Sequence, residues 1–362
     1  MFQTKARFAS GASGGWIIFR VDSILLVLIA AAISHAAVFA DDDVPLSRDR
    51  LTDVVTRGVR LLEKAAKNYP EHRDCFACHH QTLPLLGMSE AKRIGIAIDE
   101  AVFAATLEFT RKHFADRTAA MREGRGIGGA ALTVGYAAWT FDIAKHSPSD
   151  ELRQAMAMFV VQRQERDGRW KPSAIRPPAE QSQVSNTVLA LRVLQQTGSL
   201  DGEWSVTASA ADRRAREWLD QQPCELQEDL VFRLWGLQWF GGSAEERARI
   251  VERIMKRQRE DGGWNAEGTL DSEAYSTGQT LFALLDNGTS ADAPVVRRAA
   301  EYLAKTQHAD GSWFVATRAK PVQVFFDNGD PHGKSQFISI AATGFSTAAL
   351  ARFVATTFPQ QP

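Results

Sequence analysis

Apolar positions recur at helical spacing along most of the chain, and two kinds of helical segment alternate. One kind carries Arg, Glu and Lys on one face, which predicts an amphipathic helix with that face in water. The other kind is small and apolar on nearly every side, as is typical of a helix buried on most faces. Segments of the second kind are predicted at 82–95, 128–144, 183–198, 228–242, 274–288 and 339–356.

A short motif repeats at the ends of three amphipathic segments. It has the form Q-x-x-D-G-x-W, and it reads QERDGRW at 164–170, QREDGGW at 258–264 and QHADGSW at 307–313. Degenerate copies keep the helix spacing around Arg57 and Arg214 but end in Ala66 and Pro223. A repeated unit of this kind buries its apolar face only by packing on its neighbours. Pairs of one outer and one inner helix can close into a ring that buries every inner helix and leaves no end.

These copies resemble the QW repeat of squalene–hopene cyclases and related terpenoid cyclases. The resemblance covers roughly residues 50–357. It implies an all-α fold, an α/α toroid of about six helical hairpins, which protein prenyltransferases share. It also implies that the Gln caps a helix end and stacks beside the Trp, tying neighbouring pairs together. The residues given this structural role are Gln164, Trp170, Gln258, Trp264, Gln307 and Trp313.

The resemblance does not carry cyclase chemistry with it. A bacterial squalene cyclase protonates an alkene with an aspartate of a D-x-D-D motif, and the repeats contain no such motif. Asp271 and Glu273 are two residues apart and would face apart on a helix. Glu228 and Asp229 open an inner helix, where acids suit the positive helix end. We therefore expect no squalene cyclase activity, and whether the chain is an enzyme stays open.

The N-terminal segment predicts export. Lys5, Arg7 and Arg20 precede a short apolar run at 24–33, and small residues lead to Ala40. This order is typical of a secretory signal, and the run is short for a membrane span, which needs roughly 20 residues. We expect a signal peptide at 1–40, a single toroid domain at 41–362, and a periplasmic or secreted protein. An uncleaved membrane anchor is the alternative.

Composition limits the partners. The 42 Lys and Arg against 43 Asp and Glu give a net charge of −1, so no basic excess indicates nucleic acid. The chain has 3 cysteines, which cannot form a disulfide framework. Cys224 has no partner nearby in sequence and is predicted to be a buried apolar thiol.

The other two cysteines lie in CFACHH at 75–80, in the loop before the first inner helix. C-x-x-C-H is the attachment signature of c-type haem. Cys75 and Cys78 would form the thioethers, and His79 would be an axial iron ligand. We predict one covalent haem c. A Cys75–Cys78 disulfide, a zinc site and a plain structural loop are the alternatives.

Ring closure places the sixth helix pair beside the first, so the long loop at 314–337 should lie near CFACHH. His332 sits in this loop in a turn of Pro and Gly that presents its imidazole. We predict that His332 is the second iron ligand or lines the distal pocket. Two methionines are weaker candidates, Met121 and Met88.

Two functions are compatible with these features. The first is an exported haem protein that transfers electrons or performs redox chemistry with an unidentified partner protein. The second is an isoprenoid-binding or lipid-binding protein, or a cyclase-like protein without the D-x-D-D motif, that uses an apolar central cavity. The two could coexist.

Overall fold

The computed structural model describes residues 46–196, 203–321 and 323–358. These residues form α1 Arg48–His72, α2 Thr82–Arg93, α3 Glu100–Ala115, α4 Thr118–Arg122, α5 Ala130–Ile143, α6 Asp150–Gln162, α7 Gln183–Gln196, α8 Glu203–Gln221, α9 Gln227–Phe240, α10 Ala244–Lys256, α11 Ala274–Asp286, α12 Pro294–Thr306 and α13 Gln336–Thr357. No strand forms within the described ranges, where the one β-bridge joins Arg176 to Glu180. The predicted signal at 1–40 and the domain start at 41 lie outside the described residues.

Six helices form a closed inner ring: α2, α5, α7, α9, α11 and α13. Each packs against the next in chain order, and α13 packs against α2. Helices α1, α3, α6, α8, α10 and α12 lie outside them, with short α4 beside α6. The predicted all-α toroid of helix pairs is therefore confirmed.

The outer and inner helices differ in burial as their sequences predict. Outer helix α10 buries only Ile250 and Ile254, whereas α13 is buried along most of its length. In the part of the chain that is described, one segment, Gly333–Thr357, is long and apolar enough to cross a membrane. It is 89% buried inside the protein over its apolar window, as a core helix would be.

Helix α1 extends further than its sequence suggests. The degenerate repeat predicts an end near Ala66, but the helix continues through Pro70 to His72. The additional turn places Tyr69 in the core, where it is 2% exposed and packs against the loop that carries CFACHH. The burial of Tyr69 offsets the backbone hydrogen bond that Pro70 cannot donate.

The three Q-x-x-D-G-x-W copies join neighbouring outer helices by the same bonds. The Gln258 side-chain amide donates to the Gly262 carbonyl at 2.8 Å and to the Val295 carbonyl of α12 at 2.7 Å. Its amide oxygen accepts from Arg298, also of α12. Gln164 makes the equivalent bonds to Ala211 and Arg214. Gln307 makes them to Val54 and Arg57, and so ties α12 to α1 and closes the outer ring.

The tryptophan of each copy joins its outer helix to the following inner helix. The indole of buried Trp264 donates to the Ile254 carbonyl at 2.9 Å, and its backbone N–H donates to the Thr277 hydroxyl at 2.9 Å. Trp170 makes the same pair of bonds with Val160 and Thr187, and Trp313 with Leu303 and Thr343. The tryptophans are structural, as predicted. The sequence gives no sign that a threonine hydroxyl accepts from each tryptophan N–H.

The glycine of the motif is required by close approach as well as by conformation. Gly311 has a φ of 89°, and a Cβ there would lie 2.4 Å from the Arg57 carbonyl oxygen. Any other residue would be strained at this φ and would collide with the backbone of α1.

Aromatic side chains fill the middle of the inner ring. The Trp235 ring lies 5.1 Å from that of Trp139 and 6.3 Å from that of Phe345. Towards the ends of the inner helices, the Arg192 guanidinium covers the Trp239 ring at 3.8 Å. The predicted apolar central cavity is thus occupied by rings at this depth.

Candidate active site at the mouth

Ionisable side chains meet at the face where the inner helices begin, here called the mouth. They come from the loop before α2, from the loop before α7, from the second turn of α5, and from the starts of α9 and α11. They lie close enough for their charges to shift one another's pKa values. This mouth cluster consists of Cys78, His79, Tyr136, Arg176, Glu180, Glu228, Glu273 and Tyr275.

Glu228 is the most unusual member of the mouth cluster. Its side chain is 5% exposed, and neither carboxyl oxygen has a hydrogen-bond partner of normal geometry. The hydroxyl of Ser185, on α7, already donates to the Ser182 carbonyl at 3.1 Å. Burial raises the pKa of Glu228 well above its usual value, and the negative charges of Asp229 and Glu180 raise it further. The site therefore favours the neutral, protonated form of this carboxyl.

The adjacent carboxylate has a different role. Asp229 accepts from the Ser182 hydroxyl at 2.6 Å and from the Leu226 backbone N–H at 2.9 Å. It caps the first turn of α9, as the sequence predicts for an acid at this position. Glu228 also lies in the first turn of α9, but it is buried and makes no capping bond.

Two tyrosines connect Glu228 to the aromatic middle of the ring. Tyr136 and Tyr275 are 2% and 1% exposed, and each lies close enough to the other to shift its pKa. The Tyr275 ring meets the Phe345 ring edge-on at 5.6 Å. An acid at the mouth thus lies next to a continuous set of aromatic faces.

A tight hairpin in the loop between α6 and α7 borders the mouth. Arg176 and Glu180 exchange backbone hydrogen bonds of 3.2 and 3.0 Å, and their side chains pair with an Nε–Oε2 distance of 2.8 Å. Burial and, to a smaller extent, the charge of Arg176 lower the pKa of His79 to about 3. Burial also raises the pKa of Cys78 to about 12. Both groups are neutral near pH 7, so neither a thiolate nor an imidazolium is available there.

The CFACHH loop packs tightly against α1. The Cys75 Sγ lies 3.4 Å from the Tyr69 hydroxyl, and the Cys78 Sγ lies 3.9 Å from the His79 Nδ1. His80 is fully buried and stacks on the Tyr69 ring at 4.3 Å, with no hydrogen bond to either ring nitrogen. In the described ranges, no group of three or more His, Cys, Asp or Glu is placed to hold a metal ion.

The loop between α12 and α13 lies beside α1, as ring closure predicts. Its Phe326 ring stacks on that of His72 at 5.0 Å. His332 contacts other groups: its Nε2 lies 2.8 Å from the Ser312 hydroxyl, and its ring lies 5.1 Å from that of His308. Both weaker candidates, Met88 and Met121, are completely buried in the core.

Comparison with known proteins agrees with the toroid. Residues 220–337, about a third of the chain, match the family model of the squalene–hopene cyclase C-terminal domain. No curated protein matches the sequence.

Solved structures of a type II terpene cyclase, MstE from Scytonema, superpose on most of the chain. The apo enzyme is 15% identical, covers 86% of this chain and 100% of its own, and gives a TM-score of 0.54. A variant in complex with merosterolic acid A, its product, is also 15% identical, covers 85% and 98%, and gives 0.54. A variant in complex with geranylgeranyl dihydroxybenzoate, its substrate, is 14% identical, covers 85% and 98%, and gives 0.50. At this identity the likeness establishes the terpene cyclase-like fold alone.

The prediction of a haem-based electron-transfer or redox function is wrong. The family match is to a cyclase domain, and the MstE structures that superpose on the chain are those of a terpene cyclase. The described residues bring no group of three metal ligands together around CFACHH. The spacing of a short motif does not determine its surroundings, and here the side chains of CFACHH make packing contacts instead. The assignment of Cys75, Cys78, His79 and His332 to a covalent haem c stays a prediction, as does a periplasmic or secreted location.

Proposed function

We propose that the protein binds an isoprenoid at the mouth of the toroid and acts as a cyclase-like enzyme in which Glu228 protonates a double bond of that ligand. The observation that carries this proposal is the Glu228 carboxyl, which is buried beside an aromatic interior with no hydrogen bond of normal geometry, in a site that raises its pKa. The D-x-D-D motif is missing, and Glu228 supplies the acid from a different position.

The chemistry requires a neutral acid and a surface that stabilises a carbocation. The Glu228 O–H gives its proton to one alkene carbon, and the other carbon becomes cationic. The π electrons of a neighbouring double bond then form a C–C bond to that carbon, and water removes a proton at the end. Aromatic faces such as those of Tyr275 and Trp235 attract a cation, and the Glu228 carboxylate left behind attracts it as well.

The likeness to MstE supports isoprenoids as the ligand class, because the ligands bound to that enzyme include a geranylgeranyl compound. In the present chain the middle of the ring is filled, so the ligand lies at the mouth, above the tyrosine pair. The groups that border this position are Cys78, His79, Arg176 and Glu180, all neutral or paired.

Incubation with geranylgeraniol and with squalene tests the catalytic step. We expect a product of unchanged mass and shorter chromatographic retention from geranylgeraniol, and none from squalene. Glu228→Gln keeps the shape of the side chain and removes the acid, and it should lower the rate by about 10²–10⁴-fold. Glu225→Gln, at an exposed glutamate just before α9, is the matched control.

Binding is measured separately by quenching of tryptophan fluorescence. If the wild type binds an isoprenoid but forms no product, the catalytic part of the proposal is wrong and the protein is an isoprenoid-binding protein. If neither these two isoprenoids nor an acidic derivative of geranylgeraniol binds, the proposed function fails altogether.

A further inference from the structure

Arg318 has an unusual pattern of hydrogen bonds at the mouth. It lies in the loop between α12 and α13, and its Nη1 approaches the Glu273 Oε2 at 3.4 Å. Its Nε and Nη2 are buried and have no hydrogen-bond partner. Of the arginines in the described ranges, Arg318 alone has two such nitrogens.

These two nitrogens form one edge of the guanidinium group. Their N–H bonds point the same way, and this edge matches the two oxygens of a carboxylate or a phosphate. Leaving buried donors without acceptors costs free energy. Glu273 cannot supply the acceptors, since it meets the opposite end of the group and its Oε1 accepts from the Ser276 hydroxyl at 2.7 Å.

Arg318 is also well placed relative to Glu228. Glu273, the partner of Arg318, directly precedes α11, and Tyr275 lies in the first turn of that helix. Arg318 therefore lies beside the tyrosine at the mouth, and the charge of Glu273 also raises the pKa of Glu228. A ligand whose head lies on Arg318 would have its chain over Tyr275 and the carboxyl of Glu228.

We infer that Arg318 binds the anionic head group of the isoprenoid, a carboxylate or a phosphate, and that the protein selects acidic isoprenoids over hydrocarbons and alcohols. This inference rests on the proposed function and names its substrate class. The unpartnered edge has no contact with solvent, so the head group enters when the loop that carries Arg318 moves. The described residues of that loop at 314–321 and 323–332 form no helix, and the Arg318 side chain is 27% exposed.

Three probes with the same chain test the inference: geranylgeranoic acid, geranylgeranyl phosphate and geranylgeraniol. Their affinities are measured by tryptophan fluorescence for the full chain. We expect at least one acidic probe to bind about 10- to 100-fold more tightly than the alcohol, the range of a charge-assisted hydrogen bond. The tighter of the two acids distinguishes a carboxylate from a phosphate head group.

Arg318→Gln should abolish this preference and leave the affinity for geranylgeraniol within about twofold, which is small on the scale of one such bond. Arg318→Lys keeps the charge but not the two-pronged edge, and it should give an intermediate preference. Arg297→Gln is the control, because this arginine pairs with Asp292 at the exposed start of α12.

Two results overturn the inference while isoprenoid binding stands: equal affinity of the wild type for all three probes, or an equal loss for all three in Arg318→Gln. Absence of binding by every probe overturns the proposed function and the inference together.

Discussion

The outer ring repeats itself, and the mouth does not. At three junctions the same Gln, Gly and Trp make the same contacts. Gln258 and Gln307, for example, each donate to a backbone carbonyl of the next outer helix. At the mouth the inner helices and the loops before them contribute side chains of several kinds, such as Glu228 from α9 and Cys78 from the loop before α2. The repeated contacts hold the ring together, whereas the residues that occur once create an environment suited to chemistry.

The comparison predicts that substitutions in the repeated contacts cost the most stability. Trp313→Ala should lower the free energy of unfolding by about 3–5 kcal/mol, because it removes a fully buried indole at the junction that closes the ring. Chemical denaturation measures the change. Phe314→Ala, at the next residue but 50% exposed, should cost far less. Similar losses for both variants would contradict the role given to the closing junction.

The glycine of the same motif gives the next largest effect. Gly311→Ala should cost about 3 kcal/mol, since it combines a strained backbone conformation with a contact of 2.4 Å to the Arg57 carbonyl oxygen. Gly268→Ala has a φ of 55° and no atom within 4 Å of the new Cβ, so it should cost only about 1–2 kcal/mol. The difference between the two, measured by thermal and chemical unfolding, isolates the collision with α1.

At the mouth the expected effect depends on pH rather than on packing. Because the folded-state pKa of Glu228 is raised, the folded chain holds this proton at pH values where the unfolded chain has lost it. Glu228 therefore reduces stability as pH rises from about 4.3 towards its folded-state pKa, by at most about 1.4 kcal/mol per pH unit. Glu228→Gln should remove this slope, so the wild type should lose stability relative to the variant between pH 5 and pH 7. If the stabilities of the wild type and of Glu228→Gln change in parallel with pH, Glu228 is ionised in the folded protein.

The smallest effect concerns the threonines that follow each motif. Thr277→Val should cost about 1–2 kcal/mol, because the buried Trp264 N–H loses its acceptor. Thr110→Val is the matched control, since this buried hydroxyl donates only to the Thr106 carbonyl within α3. If both variants lose the same stability, the threonine hydroxyl does not support the tryptophan.

The contrast between the outer ring and the mouth also explains which features of the structure can be predicted from the sequence and which cannot. The repeated motif identifies Gln164, Gln258 and Gln307 as structural residues, and the apolar pattern predicts the inner helices. Glu228 looked like an ordinary helix-capping acid, because its sequence neighbour Asp229 is one and only the packed structure separates them. Arg318 lies in a loop without a pattern, and its significance depends on which of its nitrogens find acceptors.

The CFACHH stretch shows the opposite difficulty. Its spacing is specific enough to suggest a chemistry, but the sequence does not reveal that Cys75 faces Tyr69 or that His80 is buried beneath the loop. The C-terminal end of α1 is difficult to predict for the same reason. The helix continues to His72 because Tyr69 is buried, and that burial depends on contacts with residues distant in sequence.

Because Gln307 binds α1 as Gln258 binds α12, the chain is circular in its contacts although it is linear in its covalent bonds. Helix α1 begins and α13 ends at the face opposite the mouth, and the two helices pack against each other. A circular permutant could therefore join the end of α13 to the start of α1 through a short linker and open instead near Gly288, between α11 and α12, where no neighbouring atom crowds the glycine. The order in which the repeats are synthesised would change, while the mouth and every motif contact would be retained.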